Sequence, residues 1–178
     1  MHTDHVKIGN VEKDLDRVYR IFDEFVKKMG FDKRNERRFR LLTEEVLRIA
    51  KVIVREATLD TWFEGEGDEA KIFLTVDNRF NVDDREKILS LSSSGKNSAE
   101  MGFFDKLLAI FVADDPTDKT WSLQSYREEL LEKRKTDAYS QEAWDDLERS
   151  VIAGLSENIE VSVYDEVIKL VATYKKKD

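Results

Sequence analysis

Hydrophobic residues recur every three to four positions through the first third of the chain. This spacing places them on one side of a helix, so the pattern predicts a helix over residues 11–29, ended by Gly30. A second stripe of the same period predicts a helix over residues 32–57. We therefore expect two long amphipathic helices, each with one apolar side that packs against the rest of the fold.

The hydrophobic period then changes from helical to two. Residues 61–66 and 71–76 alternate in polarity around the turn formed by Gly65, Gly67 and Asp68, which predicts a β-hairpin. Residues 159–164 and 167–174 repeat the pattern around a turn at 165–166 and predict a second hairpin. Both hairpins have one apolar side, as strands with a single buried face do.

Helical spacing returns between the hairpins. It predicts a helix over 83–91, a second from the Asn97 and Glu100 capping pair to the stop at Pro116, and two more over 121–135 and 141–155. The hairpins can join one antiparallel or mixed sheet with all helices on one face. We therefore predict the α+β class and a two-layer sandwich.

Length and composition narrow the range of functions. The chain has 178 residues, the size of one domain, which we place at residues 11–178 behind a flexible tail over residues 1–10. Its net charge is −8, which argues against binding nucleic acid or an anionic membrane through the overall field. No apolar run is long enough to span a bilayer and no signal peptide is visible, so we expect a cytoplasmic protein.

The residue types also exclude several kinds of site. The absence of cysteine excludes disulfides, thiolate zinc sites and cysteine nucleophiles. Only His2 and His5 are histidines, and both fall in the predicted tail, so we expect neither a histidine-based triad nor a histidine metal site. We assign no residue as a metal ligand. Magnesium stays possible, but a site built from carboxylates would require the acidic residues to converge.

Some features together resemble a known superfamily. A long helix carries Glu44 and Glu45, and a hairpin ends in Asp77. A serine-, glycine- and asparagine-rich loop over residues 92–98 follows, and a terminal hairpin closes the chain. This order resembles the GHKL ATPases, the gyrase B-like, histidine-kinase-like and anti-sigma-factor kinase domains. The resemblance covers residues 10–178 with an insertion around 116–140, and it implies a Bergerat-like sandwich.

The resemblance implies roles for individual residues. Glu45 takes the position of the general base, and Asp77 takes that of the acid that binds the adenine amino group. The nucleotide lid falls on Gly95, Lys96, Asn97 and Gly102. The resemblance therefore implies binding of ATP or ADP.

The family's magnesium ligand is missing from this chain. In the family an asparagine follows the helix glutamate by four residues, whereas here Ile49 follows Glu45 and Arg48 follows Glu44. No glycine follows Asp77 in residues 78–81 either. The resemblance thus implies a degenerate member, which binds nucleotide with weak or absent magnesium-dependent hydrolysis.

The residues themselves leave alternatives open. Glu45 lies at the edge of the apolar stripe, either as a partly buried general base or as a flanking residue that turns to water. Glu44 has a helical ion-pair partner in Arg48. The 94–98 loop is either an anion site or a polar loop before a capped helix. Asp77 is either a ligand or a turn residue.

Basic residues form two runs. The cluster over residues 34–40 is either a solvated face or a surface for an acidic partner, and the run over residues 175–177 reads as a solvated end.

Two main hypotheses of function follow, and chance likeness of element order is a third explanation. The first is a degenerate histidine-kinase-like ATP-binding domain. The second is a regulatory or protein-interaction module on the same scaffold that binds no nucleotide. The first requires Glu45, Asp77 and the loop over residues 92–98 to border one cavity. Fold does not fix function, so the geometry of these residues decides between them.

Overall fold

A computed structural model describes most of the chain. The described residues are 1–9, 11–53, 58–77, 120–164 and 167–177, with isolated helical positions at 86, 87, 90, 103, 106 and 109. The first half contains strand β1 and helices α1 and α2, followed by the hairpin of β2 and β3. Their bounds are β1 Val6–Ile8, α1 Val11–Lys28, α2 Lys33–Ile53, β2 Leu59–Glu66 and β3 Glu69–Asp77.

The second half adds a short strand, three helices and the terminal hairpin. Their bounds are β4 Thr120–Ser122, α3 Leu123–Lys133, α4 Ala138–Arg149, α5 Val151–Leu155, β5 Asn158–Tyr164 and β6 Val167–Lys175. Both predicted hairpins and the first two helices are present, and α2 is described up to Ile53.

The described strands form one six-stranded antiparallel sheet. The strand order is β1-β2-β3-β6-β5-β4, so the two hairpins meet where β3 pairs with β6. In that register Phe73 lies opposite Val171 and Ala70 opposite Tyr174. The predicted α+β class, with an antiparallel open sheet and helices, is confirmed.

The helix-covered face of the sheet holds the core. The aromatic side chains of Phe22, Phe25, Phe39, Phe63 and Tyr174 are fully buried there. Their ring centroids lie 5.5–5.9 Å apart in neighbouring pairs, at a range of interplanar angles. The apolar stripes of α1 and α2 supply three of these rings and the strands supply two. Burying them provides much of the stability of this half of the domain.

Gly65 allows α1 to approach β2 closely. A methyl group at this position would lie 2.6 Å from the sulfur of Met29 and 2.9 Å from the ring of Phe25. Such distances are well inside van der Waals contact. The glycine that the sequence indicated as part of a turn is therefore a strand residue, paired with Ala70, which leaves room for the helix above it.

The N-terminal residues differ from the predicted tail. Val6 and Ile8 are buried on strand β1, which pairs with β2. Closer to the terminus, the amino group of Met1 donates to the Gly65 carbonyl at 2.6 Å, and the amide of Thr3 donates to the Phe63 carbonyl at 3.0 Å. A three-residue alternation is too short to predict a strand, and only the exposed edge of β2 gives it a partner.

Two predicted helices also have different boundaries. Trp121, the expected start of the helix over 121–135, lies on β4 opposite Val161, and Ser122 caps the helix that begins at the next residue. The expected helix over 141–155 is divided into α4 and α5 at Ser150. The hydroxyl of Ser150 accepts a hydrogen bond from the amide of Ala153 at 3.3 Å. Serine competes with the helix backbone in this way, so it favours a new helix start.

Candidate functional site

Helix α2 positions Glu45 at the boundary between the core and the solvent. Val46, the next residue, is fully buried, and so are Leu42 one turn before Glu45 and Ile49 one turn after it. The Glu45 side chain itself is 22% exposed. Its carboxylate therefore lies at the margin of the apolar stripe, where a glutamate can reach either water or a neighbouring helix.

The Glu45 carboxylate contacts an arginine on the same helix. Arg48 Nη2 lies 2.8 Å from Glu45 Oε2, a charge-assisted contact between residues three apart. The sequence assigned Arg48 to Glu44, whereas the structure shows Arg48 in contact with Glu45. Glu44 is exposed on the side of α2 that faces α1, and its charge adds to the effect of burial in raising the pKa of Tyr19.

A small cavity lies beside this ion pair. Its lining comes from Glu45 and Arg48 on α2 and from Arg149, Ser150 and Val151 at the junction of α4 and α5, and its volume is about 50 Å³. One water molecule takes up roughly 30 Å³ in the liquid, and pockets for small-molecule ligands run from about 300 to 1,000 Å³. This cavity can hold water but is too small for a nucleotide.

The other predicted site residues are less fully described. Asp77 is the last residue of β3, where its backbone pairs with Val167 of β6, and its side chain lies outside the described part. The lid residues Gly95, Lys96, Asn97 and Gly102 lie outside the described residues as well. The convergence of Glu45, Asp77 and this loop on one cavity therefore stays a prediction.

A larger cleft lies between α3, α4 and the helical positions Phe103, Lys106 and Ala109. Its volume is about 460 Å³, and its lining combines apolar and aromatic side chains with carboxylates. The Lys106 ammonium lies 4.3 Å from the centre of the Tyr126 ring, and burial raises the pKa of Tyr126. The lysine covers one face of the tyrosine, which is the packing of an amphipathic side chain on an aromatic ring. No sequence signal predicted this cleft.

The described residues form neither a metal-binding cluster nor a membrane-spanning helix. Within the described ranges, no group of three or more histidine, aspartate and glutamate side chains is arranged to hold a metal ion. No described helix combines the length and apolar character needed to cross a bilayer.

The start of α2 carries a buried polar contact that the sequence did not indicate. Asn35 is 5% exposed, and its Oδ1 accepts hydrogen bonds from the Tyr174 hydroxyl at 2.6 Å and from the Lys177 amide at 2.9 Å. Its Nδ2 donates to the Lys177 carbonyl at 3.0 Å. The lysine run expected as a solvated end therefore has its backbone bound to α2. These contacts join residues 142 positions apart, which no local pattern reveals.

Comparison with known proteins adds no further constraint on this site. No protein family, no curated protein and no solved structure matches the chain. The resemblance to GHKL ATPases therefore rests on element order and on the residues given above.

Proposed function

We propose that this protein is a non-catalytic interaction module that neither binds nor hydrolyses nucleotide. The observation that carries the proposal is the Glu45–Arg48 ion pair at 2.8 Å beside a cavity of about 50 Å³. A general base must reach the proton it removes, either directly or through one water molecule. The contact with Arg48 engages the carboxylate, and the cavity that the described residues form beside it is far smaller than a pocket for a small-molecule ligand.

The residue that replaces the missing magnesium ligand supports the same proposal. Ile49 follows Glu45 by four residues and is fully buried in the core, where it packs as an apolar side chain. Phosphoryl transfer depends on positioning and on metal ions that neutralise the developing charge. A buried isoleucine supplies neither a metal ligand nor access to one.

The degenerate nucleotide-binding function stays a prediction. It rests on the Asp77 side chain and on the lid over Gly95, Lys96, Asn97 and Gly102, which lie outside the described residues. The two functions differ in a measurable way because a ligand that binds the folded state raises its stability.

A thermal-shift experiment tests the proposal directly. We expect ATP and ADP at millimolar concentration, with and without Mg²⁺, to leave the Tm unchanged. A nucleotide present at about 100 times its Kd would instead add roughly 2.7 kcal/mol to the stability. A reproducible, saturable rise of the Tm with either nucleotide would contradict the proposal.

A pair of variants sharpens the test at Glu45. We expect Glu45→Gln and the matched control Glu44→Gln to show the same background rate of ATP turnover as the unaltered protein. If ATP turnover is measurable and Glu45→Gln abolishes it while Glu44→Gln retains it, Glu45 is catalytic and the proposal is wrong. Glu44 is a suitable control because it is the preceding residue on α2 and is exposed.

A further inference from the structure

The tertiary structure joins two basic segments that are distant in sequence. The first turns of α2 carry Lys33, Arg34, Arg37 and Arg38, and the end of β6 leads into Lys176 and Lys177. We call these six residues the basic corner. The Asn35 side chain holds the Lys177 backbone through two hydrogen bonds, so the strand end lies directly beside the helix.

The surroundings of Tyr174 and Lys176 agree with this placement. Burial raises the pKa of the Tyr174 hydroxyl, the positive charges of Arg38 and Arg34 oppose that rise, and the negative charge of Asp32 adds to it. The Lys176 ammonium donates to the Met29 carbonyl at 3.2 Å and lies 5.5 Å from the centre of the Phe31 ring. Arginines from the helix and a lysine from the strand thus surround one end of the same aromatic cluster.

Five of the six corner side chains form no salt bridge with a described carboxylate. These are Lys33, Arg37, Arg38, Lys176 and Lys177, whereas the nearby Arg40 pairs with Asp23 and Lys175 pairs with Asp68. Acidic residues outnumber basic ones by 38 to 30 in the whole chain, so this group of basic side chains runs against the overall composition.

Two carboxylates lie on the same turns of α2 as the corner. Asp32 accepts hydrogen bonds from the backbone and side-chain amides of Asn35 at 2.7 and 3.1 Å, which caps the start of α2, and the charge of Arg34 also helps to lower the pKa of Asp32. Glu36 faces Arg40 on the α1 side of the helix. Four of the six corner side chains, those of Lys33, Arg34, Arg37 and Lys177, are exposed to solvent.

We propose that the basic corner binds a short acidic segment of a partner protein. This inference rests on the proposed function and names the chemistry of its partner. Opposite charges at an interface guide association and determine which partner is accepted. The corner mixes arginines, which can form bidentate contacts with carboxylates, and lysines, which act as flexible point charges.

The charge of the whole molecule favours a compact partner over an extended polyanion. Screening confines the field of the corner to about 8–10 Å at physiological salt. A nucleic acid or an anionic membrane extends beyond that range and meets the rest of a molecule whose net charge is −8. At the corner, the Lys176 ammonium lies 5.5 Å from the centre of the Phe31 ring, on the face that a base would otherwise stack on.

The proposal can be tested with a defined probe and charge-reversal variants. The probe is a fluorescein-labelled peptide of about ten residues rich in Asp and Glu, which spans roughly 33 Å when extended. We expect salt-sensitive binding by fluorescence anisotropy, and a Kd raised about fivefold by Arg37→Glu and by Lys177→Glu. The matched control, Lys13→Glu at the start of α1, makes the same charge change away from the corner and should leave the Kd unchanged.

The Lys177 variant tests whether binding needs the whole basic corner or only its residues on α2. Only the backbone of Lys177 contacts Asn35, so replacing its side chain spares those hydrogen bonds, and circular dichroism and the Tm check the fold. The inference is overturned if the peptide does not bind, or if Lys177→Glu and Lys13→Glu behave alike. It is also overturned if single-stranded RNA of equal charge, or phosphatidylserine-containing vesicles, bind more tightly than the peptide.

Failure of this inference can be separated from failure of the proposed function. A nucleotide-dependent rise of the Tm would refute the interaction module and would not depend on the corner variants. An unbound peptide, together with an unchanged Tm in ATP and ADP, would refute the acidic partner and leave the non-catalytic proposal in place.

Discussion

The two faces of the sheet pack their aromatic residues in different ways. On the helix-covered face, Phe39 is fully buried and contacts other rings at angles from 25° to 70°. On the opposite face, His5, Trp62 and Phe73 form a stack, with centroid distances of 4.1 and 4.8 Å and interplanar angles of 15° and 6°. On one face the helices cover the rings, whereas on the other face the rings cover one another.

The stacking decides whether the aromatic residues on the face without helices can bind a ligand. His5 covers one side of the Trp62 ring and Phe73 the other, and the Lys169 ammonium lies 5.5 Å from the centre of the Phe73 ring. Phe73 itself is only 8% exposed. The stack therefore has no open ring face at Trp62 for a ligand. Its role is to stabilise the edge of the sheet and to hold the N-terminal strand.

The largest expected effect is on the helix-covered face. Phe39→Ala should lower the free energy of unfolding by about 3–5 kcal/mol, because it leaves a cavity where α1, α2 and the sheet meet. Urea denaturation followed by circular dichroism measures the change, with Phe39→Leu as a milder control. A loss below about 1 kcal/mol would mean that the core can collapse around the cavity.

A smaller effect is expected on the open face. The coupling between the Trp62 and His5 rings should be about 0.5–1.5 kcal/mol, the range typical of an aromatic pair beyond its buried area. A double-mutant cycle of Trp62→Ala and His5→Ala, measured in urea, isolates this coupling. Zero coupling would show that the stack does not hold the N-terminal strand, and a coupling as large as the loss in Phe39→Ala would remove the contrast between the faces.

The smallest expected effect is a pH dependence of the folding stability, which arises from Asp32 at the start of α2. Hydrogen bonds from the Asn35 backbone and side chain lower the pKa of Asp32 below its usual value. Because the pKa is lower in the folded state, the stabilisation is present above the unfolded value of about 3.9 and is lost as the pH falls through the folded pKa. Asp32→Asn should therefore flatten the fall of stability in acid.

Urea midpoints across the acid range measure this flattening. The matched variant is Asp137→Asn at the start of α4, where the hydrogen bond from the Ser140 hydroxyl and further backbone bonds lower the pKa of Asp137. We expect the two variants to act independently because the caps belong to different helices. An Asp32→Asn curve parallel to that of the unaltered protein would contradict the assigned role of the cap.

The candidate site was less predictable from sequence than the fold. The edge position of Glu45 follows from helical spacing, because Leu42 and Ile49 lie one turn away on either side. Its contact with Arg48 did not follow, because helical spacing allows Arg48 to pair with either Glu44 or Glu45. The cavity beside the pair depends on α5, which no pattern in α2 can indicate.

Element types were determined by the sequence itself, because hydrophobic period is a local property. The helical stripes predicted α1 and α2, and the alternation of period two predicted both hairpins, with boundaries shifted by a few residues. The pairing of β1 with β2, the position of Trp121 on a strand and the assembly of the basic corner were decided only by the tertiary structure. Each depends on contacts between residues far apart in the chain, such as Asn35 with Lys177, and the free energy of such contacts exists only once the intervening elements have packed.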